Sequence, residues 1–352
     1  MASQRFVVEP RELPARLDQL IARRTGISRA AAMRLISDGQ VRVDGRKGHK
    51  GAQLIAGQKV ELEAAAEDDV RTPPRPQPEL LLSVLYEDAD VVVVNKAAGQ
   101  ACHPLRAGEL GTVANAVAAR FPECARASEA AREGGVCHRL DTFTSGALLF
   151  ARSAAAWRSM RDAFAAGAVD KEYLALCAGE PQKERFEVAL PLLPGPGPEG
   201  RRKVLVASTP EQIYRPDALD AVTELEVVAA GGGRALLRAR TVTGRRHQIR
   251  AHLSHLGLPL CGDVLYGGPE LGAAERALLG DEPDGYFLHA SRLGFPSPSS
   301  PSSPSSPSSP SSLPPGGRLI EVDAPLPPGR AALLGACLPE AAAALRATPE
   351  KR

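Results

Sequence analysis

The chain has 352 residues, 43% of them apolar and 24% charged, and a formal net charge of +2. That is long enough for a sizeable core in more than one domain and reads as an ordinary soluble globular protein, since no apolar run approaches a membrane span. Six cysteines (Cys102, Cys124, Cys137, Cys177, Cys261, Cys337) with no Cys-x-x-Cys pair argue against a disulfide framework and a structural zinc site. The first ten residues have no signal-peptide core, so a cytoplasmic protein is expected.

The small net charge averages segments of opposite sign. Residues 1 to 50 hold eleven Lys or Arg against five Asp or Glu, and residues 61 to 90 hold two against nine. A basic module followed by an acidic spacer points to a polyanionic partner, although a solvated basic face would read the same. A small α+β domain is expected over residues 14 to 66. Leu17, Leu20 and Ile21 share a helical face, Thr25-Gly26 breaks that helix, and Ser28 stands where the next would be capped. The second helix carries Met33, Leu35 and Ile36, and Gly39 can end it. Val41-Arg42-Val43 and Lys59-Val60-Glu61-Leu62-Glu63 alternate as strands, with a turn at Asp44-Gly45. The stretch RLDQLIARRTGISRAAAMRLISDGQVRVDGR resembles the S4 RNA-binding module. The resemblance implies RNA contacts from some of Arg16, Arg23, Arg24, Arg29, Arg34, Arg42 and Arg46, with Arg16, Arg29 and Arg34 foremost. Phosphate contacts of this kind give affinity and register without much sequence choice.

Residues 67 to 80 are acidic, then proline-rich, and are expected to be a linker. A second domain is expected over residues 81 to 330. Val84-Leu85-Tyr86 and Val91-Val92-Val93-Val94 read as strands, followed by Asn95-Lys96-Ala97-Ala98-Gly99 and Cys102-His103-Pro104. Residues 111 to 121 have helical spacing, and helix and loop continue to Gly135. Then comes His138-Arg139-Leu140-Asp141-Thr142-Phe143-Thr144-Ser145-Gly146, with the apolar strand Ala147-Leu148-Leu149-Phe150-Ala151 behind it. The strand can bury itself while the turn before it keeps His138, Arg139 and Asp141 at the sheet's edge. Residues 154 to 166 form an amphipathic helix whose Trp157, Met160 and Phe164 pack the core, and residues 169 to 176 a strand bearing Tyr173. Residues 180 to 220 read as strands and loops. Residues 223 to 228 and 235 to 239 make a hairpin through Gly231-Gly232-Gly233, which delivers Thr243-Gly244-Arg245-Arg246-His247-Gln248-Ile249-Arg250-Ala251-His252-Leu253. Gly262-Asp263-Val264-Leu265-Tyr266-Gly267 and a strand at Leu288-His289-Ala290 follow. Residues 296 to 315 are a Pro-Ser repeat, read as an expanded surface loop before a strand at Leu319-Ile320-Glu321-Val322. Residues 331 to 352 are expected to be a C-terminal helix or tail without a motif.

Three of these stretches, in order, resemble the RluA-type RNA pseudouridine synthases: HRLDxxTSG with its strand, the Lys171-x-Tyr173 pair, and TGRxHQIRxHL. Ala97 stands where that family usually has proline. The resemblance implies an α+β catalytic domain with a mixed, largely antiparallel sheet flanked by helices. It also implies isomerisation of uridine to pseudouridine, which oxidises and hydrolyses nothing and so needs no cofactor or metal. A carboxylate suits a group that must hold an intermediate and then leave. By resemblance this is Asp141, attacking the sugar C1′, assisting sugar deprotonation or adding to the base. A carboxylate in a pocket that excludes water needs a paired cation to stay ionised, a role assigned to Arg250. Tyr173 would stack on the uracil and stand nearest C5 for the last proton removal. The target nucleotide must be flipped, with Arg139 bracing the vacated stack. His138, Thr144, His247 and Gln248 complete the expected substrate-binding set, His138 more as a buttress of the loop.

Other readings weigh less. His138, Asp141 and Ser145 contain the residue types of a hydrolase triad but lack the G-x-S-x-G elbow, and His247, His252 and His255 lie among arginines that repel a cation. A catalytically inactive RNA-binding or ribosome-assembly protein is the alternative from another class. Asp141, Tyr173 and Arg250 standing together argue against it. Large-subunit ribosomal RNA is the expected partner, transfer RNA the alternative, and the protein is expected to be a monomer away from membranes.

Overall fold

The computed structural model describes residues 4–25, 27, 29–62, 72–196, 202–298 and 318–347. The Ser28 cap, the Arg34 side chain, residues 67 to 71 of the expected linker and residues 299 to 315 of the Pro-Ser stretch lie outside the described residues.

The N-terminal unit runs β1 (Gln4–Val7), α1 (Leu17–Thr25), α2 (Arg29–Ser37), β2 (Val41–Val43), β3 (Arg46–Lys47) and β4 (Lys59–Leu62), with sheet order β1-β4-β2-β3. The helical spacing of Leu17, Leu20 and Ile21 puts all three against Leu35, Ile36, Val41, Val60 and Leu62 in one buried cluster. Gly39, at φ +75°, lets the Gln40 N–H close back on the Leu35 carbonyl and end α2. The sheet starts at Gln4, ahead of the boundary expected at residue 14, because β1 pairs in full register with β4. The latter part of the expected linker is strapped down. Asn115 donates to the Arg75 carbonyl at 2.8 Å, and Gln77 N–H to the Asn115 carbonyl at 3.0 Å.

The larger unit runs β5 (Val84–Glu87), β6 (Val91–Lys96), α3 (Val113–Arg120), β7 (Ser145–Ala151), α4 (Ala154–Ala165), β8 (Asp170–Ala178), β9 (Arg185–Val188), β10 (Leu192–Pro196) and β11 (Arg202–Val206). It continues with α5 (Pro210–Ile213), β12 (Thr223–Gly231), β13 (Arg234–Thr241), α6 (Gln248–His255), α7 (Ala273–Leu279), β14 (Leu288–Pro296), β15 (Leu319–Asp323), α8 (Pro328–Cys337) and α9 (Pro339–Ala347). The main sheet has the order β5-β6-β7-β14-β8-β13-β12-β9, with β15 on β14. Every pairing is antiparallel except β7 with β14, a short parallel contact of Ser145 with His289 and Gly146 with Ala290. That contact joins the two halves of the sheet and is too close for a side chain. Gly146 stands at φ +114°, and a Cβ there would run into the Ala290 carbonyl oxygen.

Both faces of the sheet are covered, which is why β7 is wholly buried and, after Ser145, carries no polar side chain. On one face α3 packs over Val92, Val94, Leu148 and Phe150, and α6 packs over Ala175, Leu237 and Ala239. Tyr173 touches both clusters, so the gap between them opens over β8. On the other face α4 covers β6 and β7 through Trp157 and Met160, while α8 and α9 cover Leu174, Leu176 and Leu236. The sequence reading gave no element for the TGRRHQIRAHL segment and only strands and loops for residues 180 to 220. The TGRRHQIRAHL segment is a turn followed by the helix α6. Residues 180 to 220 include the short helix α5 and a separate β10–β11 hairpin, which packs on Ala251 and Tyr266. Among the described residues no helix is long and apolar enough to cross a membrane.

Candidate active site

Asp141 lies in the turn that enters β7, beside the parallel junction. The Thr144 N–H closes that turn on the Asp141 carbonyl at 3.0 Å. Lys96, at the end of β6, holds it from below: its buried ammonium donates to the carbonyls of Ala97, Gln100 and Thr142 at 2.9, 2.7 and 2.8 Å. Burial pulls the Lys96 pKa down to about 8, opposed by Cys102 and Asp141, which leaves it a cation at pH 7. Cys102 adds a second tie through sulfur contacts with the Leu140 N–H and carbonyl. The N-K-A-A-G and Cys-His-Pro stretches thus shape the turn that carries the carboxylate.

Arg250 reaches this carboxylate from the first turn of α6. His247, left-handed at φ 53°, starts that helix and aims it. The Arg250 fork grips Asp263 with Nε–Oδ2 at 2.7 Å and Nη2–Oδ1 at 2.9 Å, leaving Nη1 to meet Asp141 Oδ2 at 3.3 Å. Tyr286 and Tyr266 flank the guanidinium, their ring centres 4.1 and 4.9 Å from its carbon. Burial opposes the charge on Arg250, yet the hydrogen-bonded Asp263, with Tyr286 and Asp141, holds its pKa above the ordinary value. One buried cation therefore serves two carboxylates, tightly for Asp263 and loosely for Asp141.

The remaining contacts of Asp141 fall on the same oxygen. Tyr286 Oη lies 3.4 Å from Oδ2 and the His247 Nε2 3.9 Å from it. Desolvation lowers the His247 pKa to about 4, reinforced by Arg250 and Arg246 and opposed by Asp141, so the ring is neutral at pH 7. Its Nδ1 is 3.0 Å from Tyr266 Oη, which also accepts the Val204 N–H from β11. Burial pushes the Tyr266 pKa up to about 12, so the phenol keeps its proton.

The cleft is lined by Arg139, Asp141, Thr144, Tyr173, His247 and Arg250, among others. The three residues assigned to catalysis therefore share one cavity, with exposed Arg139 at its rim. Burial and the charge of Asp141 raise the Tyr173 pKa well above that of a free phenol, and its hydroxyl bonds Thr241. Thr144 Oγ1 stands 3.4 Å from Tyr286 Oη. Gln248 lines the cavity as a brace: it donates to Val222 and Thr223 at 2.8 and 3.0 Å and accepts from Thr243 Oγ1 and the Arg245 N–H at 2.8 and 3.0 Å. His138 is not brought to the cleft. Its Nε2 accepts the Leu149 N–H at 3.2 Å and its ring packs 4.9 Å from Phe164 of α4, on the far side of the sheet. The Leu149 N–H and the Phe164 ring hold it there, so its expected substrate contact gives way to the buttress role. Arg16 and Arg29 lie in the N-terminal unit, both hydrogen-bonded to the buried Asp18, at 3.0 and 2.6 Å. Arg24 is taken up by Glu9 and Glu12.

Sequence reasoning assigned no role to Asp263, Tyr266, Tyr286 or Lys96. Asp263 and Tyr266 stood in the quoted GDVLYG stretch, and an aspartate and tyrosine beside glycines at a strand's edge could have raised them. Tyr286 stood in no motif.

Fold and site together define the class: a small basic unit that suits a polyanion, followed by a catalytic domain built around one carboxylate. The model of the RNA pseudouridylate synthase family matches residues 90–255, and that of the S4 domain residues 15–47. An uncharacterized RNA pseudouridine synthase of Chloroflexus aurantiacus is 35% identical over 91% of this chain and 89% of its own length. The ribosomal large subunit pseudouridine synthase D of Xanthomonas campestris pv. campestris is 34% identical over 78% of each chain. The structure of human RNA pseudouridylate synthase domain containing 1 superposes with a TM-score of 0.50 at 28% identity, over 77% of this chain and 97% of that one. The chain belongs to the RNA pseudouridylate synthase family, as an RluA-type enzyme with an N-terminal S4 domain.

Proposed function

We propose that this pseudouridine synthase acts on large-subunit ribosomal RNA, with Asp141 as the reacting carboxylate. The observation that carries the assignment is the shared guanidinium. Arg250 is anchored on Asp263 and offers Asp141 a single 3.3 Å contact at Oδ2, so a cation faces Asp141 without closing on it as a bidentate pair. Relatives named ribosomal large subunit pseudouridine synthase D support the choice of RNA. The work is divided between an RNA-holding unit, which β1 extends back to Gln4 from the expected residue 14, and a catalytic unit that starts near residue 81 and runs past residue 330 through α9, acting as a cytoplasmic monomer.

In the reaction the N1–C1′ bond breaks, the uracil turns, a C5–C1′ bond forms, the C5 hydrogen leaves as a proton and N1 takes one up. Asp141 holds the fragment on the sugar side of the break. Tyr173 supports the base by stacking. Its raised pKa keeps the phenol neutral, so Tyr173 holds C5 in place at the step in which the C5 proton leaves to water, rather than storing that proton itself. Arg139, exposed at the rim, fills the stack that the flipped nucleotide leaves.

RNA tritiated at uracil C5 tests this. Wild-type protein is expected to release tritium from ribosomal RNA, and Asp141→Asn to bind that RNA and release none. Full release by Asp141→Asn would sink the assignment, and release from transfer RNA alone would move the substrate.

A further inference from the structure

The C-terminal helix α8 carries a charged residue where its neighbours are core. Arg330 is 2% exposed, while Leu333, Leu334 and Leu338 anchor the same helix in the apolar cluster under the sheet. An apolar side chain would serve that anchoring without the several kcal/mol that desolvating a guanidinium costs. What the guanidinium does instead is bridge two segments of the active site. Its Nη1 donates to the Tyr286 carbonyl at 2.9 Å and its Nη2 to the Phe143 carbonyl at 3.2 Å. Phe143 is two residues beyond Asp141, and Tyr286 is the residue whose hydroxyl stands 3.4 Å from Asp141 Oδ2.

The surroundings are built for this approach. Glu282 balances the charge with Oε2 3.4 Å from Arg330 Nε, and its Oε1 accepts the Gly329 and Arg330 N–H groups at 2.8 and 3.3 Å. A Cβ on Gly329 would stand 2.7 Å from that oxygen, and one on Gly285 would stand 2.5 Å from the Phe143 ring. Phe143 therefore lies directly over the Gly285–Tyr286 backbone, its ring edge-on to Tyr286 at 6.1 Å. The two carbonyls are left facing one donor fork, and the planar guanidinium meets each with a separate nitrogen.

We propose that Arg330 is a positioning residue for the reaction: by tying the Phe143 and Tyr286 carbonyls together, it fixes where Asp141 meets the sugar. This rests on the reading of Asp141 as the reacting carboxylate.

The test uses full-length protein and C5-tritiated ribosomal RNA, comparing Arg330→Met, Arg330→Lys, Leu334→Ala and Asp141→Asn well below their melting temperatures. Arg330→Met is expected to lose about 10- to 100-fold in kcat, the scale of a misplaced reacting group, with KM within about twofold of wild type. Arg330→Lys, which keeps the charge but one bond, should fall between, losing about threefold to tenfold. Leu334→Ala loosens the same helix without touching either carbonyl, so it should melt earlier yet keep kcat within about threefold. Wild-type kcat in Arg330→Met, or an equal loss in Leu334→Ala, overturns the proposal. If Arg330→Met does not fold, wild-type kcat in Arg330→Lys overturns it instead. Activity in Asp141→Asn would refute the underlying reading, whereas an inactive Asp141→Asn beside a fully active Arg330→Met refutes Arg330 alone.

Discussion

Both units pair arginine with aspartate, and they do so in opposite proportion. In the N-terminal unit one buried carboxylate, Asp18, is shared by Arg16 and Arg29, whose side chains remain 39% and 50% exposed. In the catalytic unit one buried guanidinium, Arg250, is shared by Asp263 and Asp141, and the latter is 25% exposed. The first cluster leaves a positive charge facing water, the second a negative one facing a cleft. Burial alone would raise the Asp18 pKa, but the hydrogen bonds from Arg29 and Arg16 bring it below the usual value, so Asp18 keeps both arginines fixed at pH 7. The minority partner is buried in each case and acts as an anchor, and the surplus is the part left exposed.

The largest effect that this contrast demands is at the surplus carboxylate. Asp141→Asn removes the charge while preserving shape, and turnover is expected to drop roughly 10⁴-fold or more, as when a reacting group is removed. RNA affinity, measured by filter binding, should stay within a few-fold because the positive cluster is untouched. Equal losses in both measurements would mean that the two clusters do not divide the work.

Removing the anchor should be the next most damaging change. Asp263→Asn strips Arg250 of its tight partner and leaves a buried guanidinium with the single contact to Asp141. Loss of one member of such a pair costs about 3–5 kcal/mol, to be read from urea unfolding. Turnover should fall too, because the freed fork can close on Asp141 itself. A variant as stable as wild type would show that Asp263 does not anchor the site.

The reacting set was legible in the sequence, and the residues that hold it in place were not. Asp141, Tyr173 and Arg250 stand in stretches whose order and residue types point to one reaction, and the strand behind Asp141 follows from its apolar run. Lys96 and Asp263 stood in quoted stretches without a role and Arg330 in none, since no local pattern says that they are buried. Burial comes from long-range closure: β14 must join β7 before Arg330 can reach Phe143, 187 residues away. His138 was misplaced for a related reason. Its neighbours Arg139 and Asp141 do face the cleft, but its own ring passes to the α4 side. The strand β1 lacked a pairing partner within reach of local reading, and the Pro-Ser composition speaks to the chain only outside the described residues.

Acid should separate the two units. In the catalytic unit burial lowers the pKa of His138 to about 3 and that of His289 to about 4. His289 spends its ring on Ser145 Oγ and the Ala324 carbonyl, across the parallel junction. At pH 5 an unfolded imidazole is mostly protonated and these two are not, so the unfolded state binds more protons and stability falls with pH. The loss begins near pH 6.5 and reaches about 2 kcal/mol for each ring at pH 5. In the N-terminal unit the shifted carboxyls, Asp18, Glu9 and Glu12, are lowered, so their stabilisation is kept until pH falls below about 4. Trp157, the chain's one tryptophan, reports on the catalytic unit alone. Its melting temperature should drop between pH 7 and pH 5, and more weakly in His289→Asn. A pH-independent transition would mean that the histidines are charged in the folded protein.

The smallest effect should come from thinning the positive cluster. Arg16→Ala and Arg29→Ala each remove one guanidinium that Asp18 holds at the surface, and each should lower the slope of log affinity against log salt by about 1 if it meets a phosphate. The loss in affinity at physiological salt should be about tenfold or less, with the rate of tritium release at saturating RNA unchanged. Asp18→Asn sharpens the point, because it keeps both arginines and frees them from their anchor. If Asp18 serves to fix their direction, affinity falls although net positive charge has risen. If charge alone mattered, affinity would rise, and the parallel between Asp18 and Arg250 as buried anchors would fail.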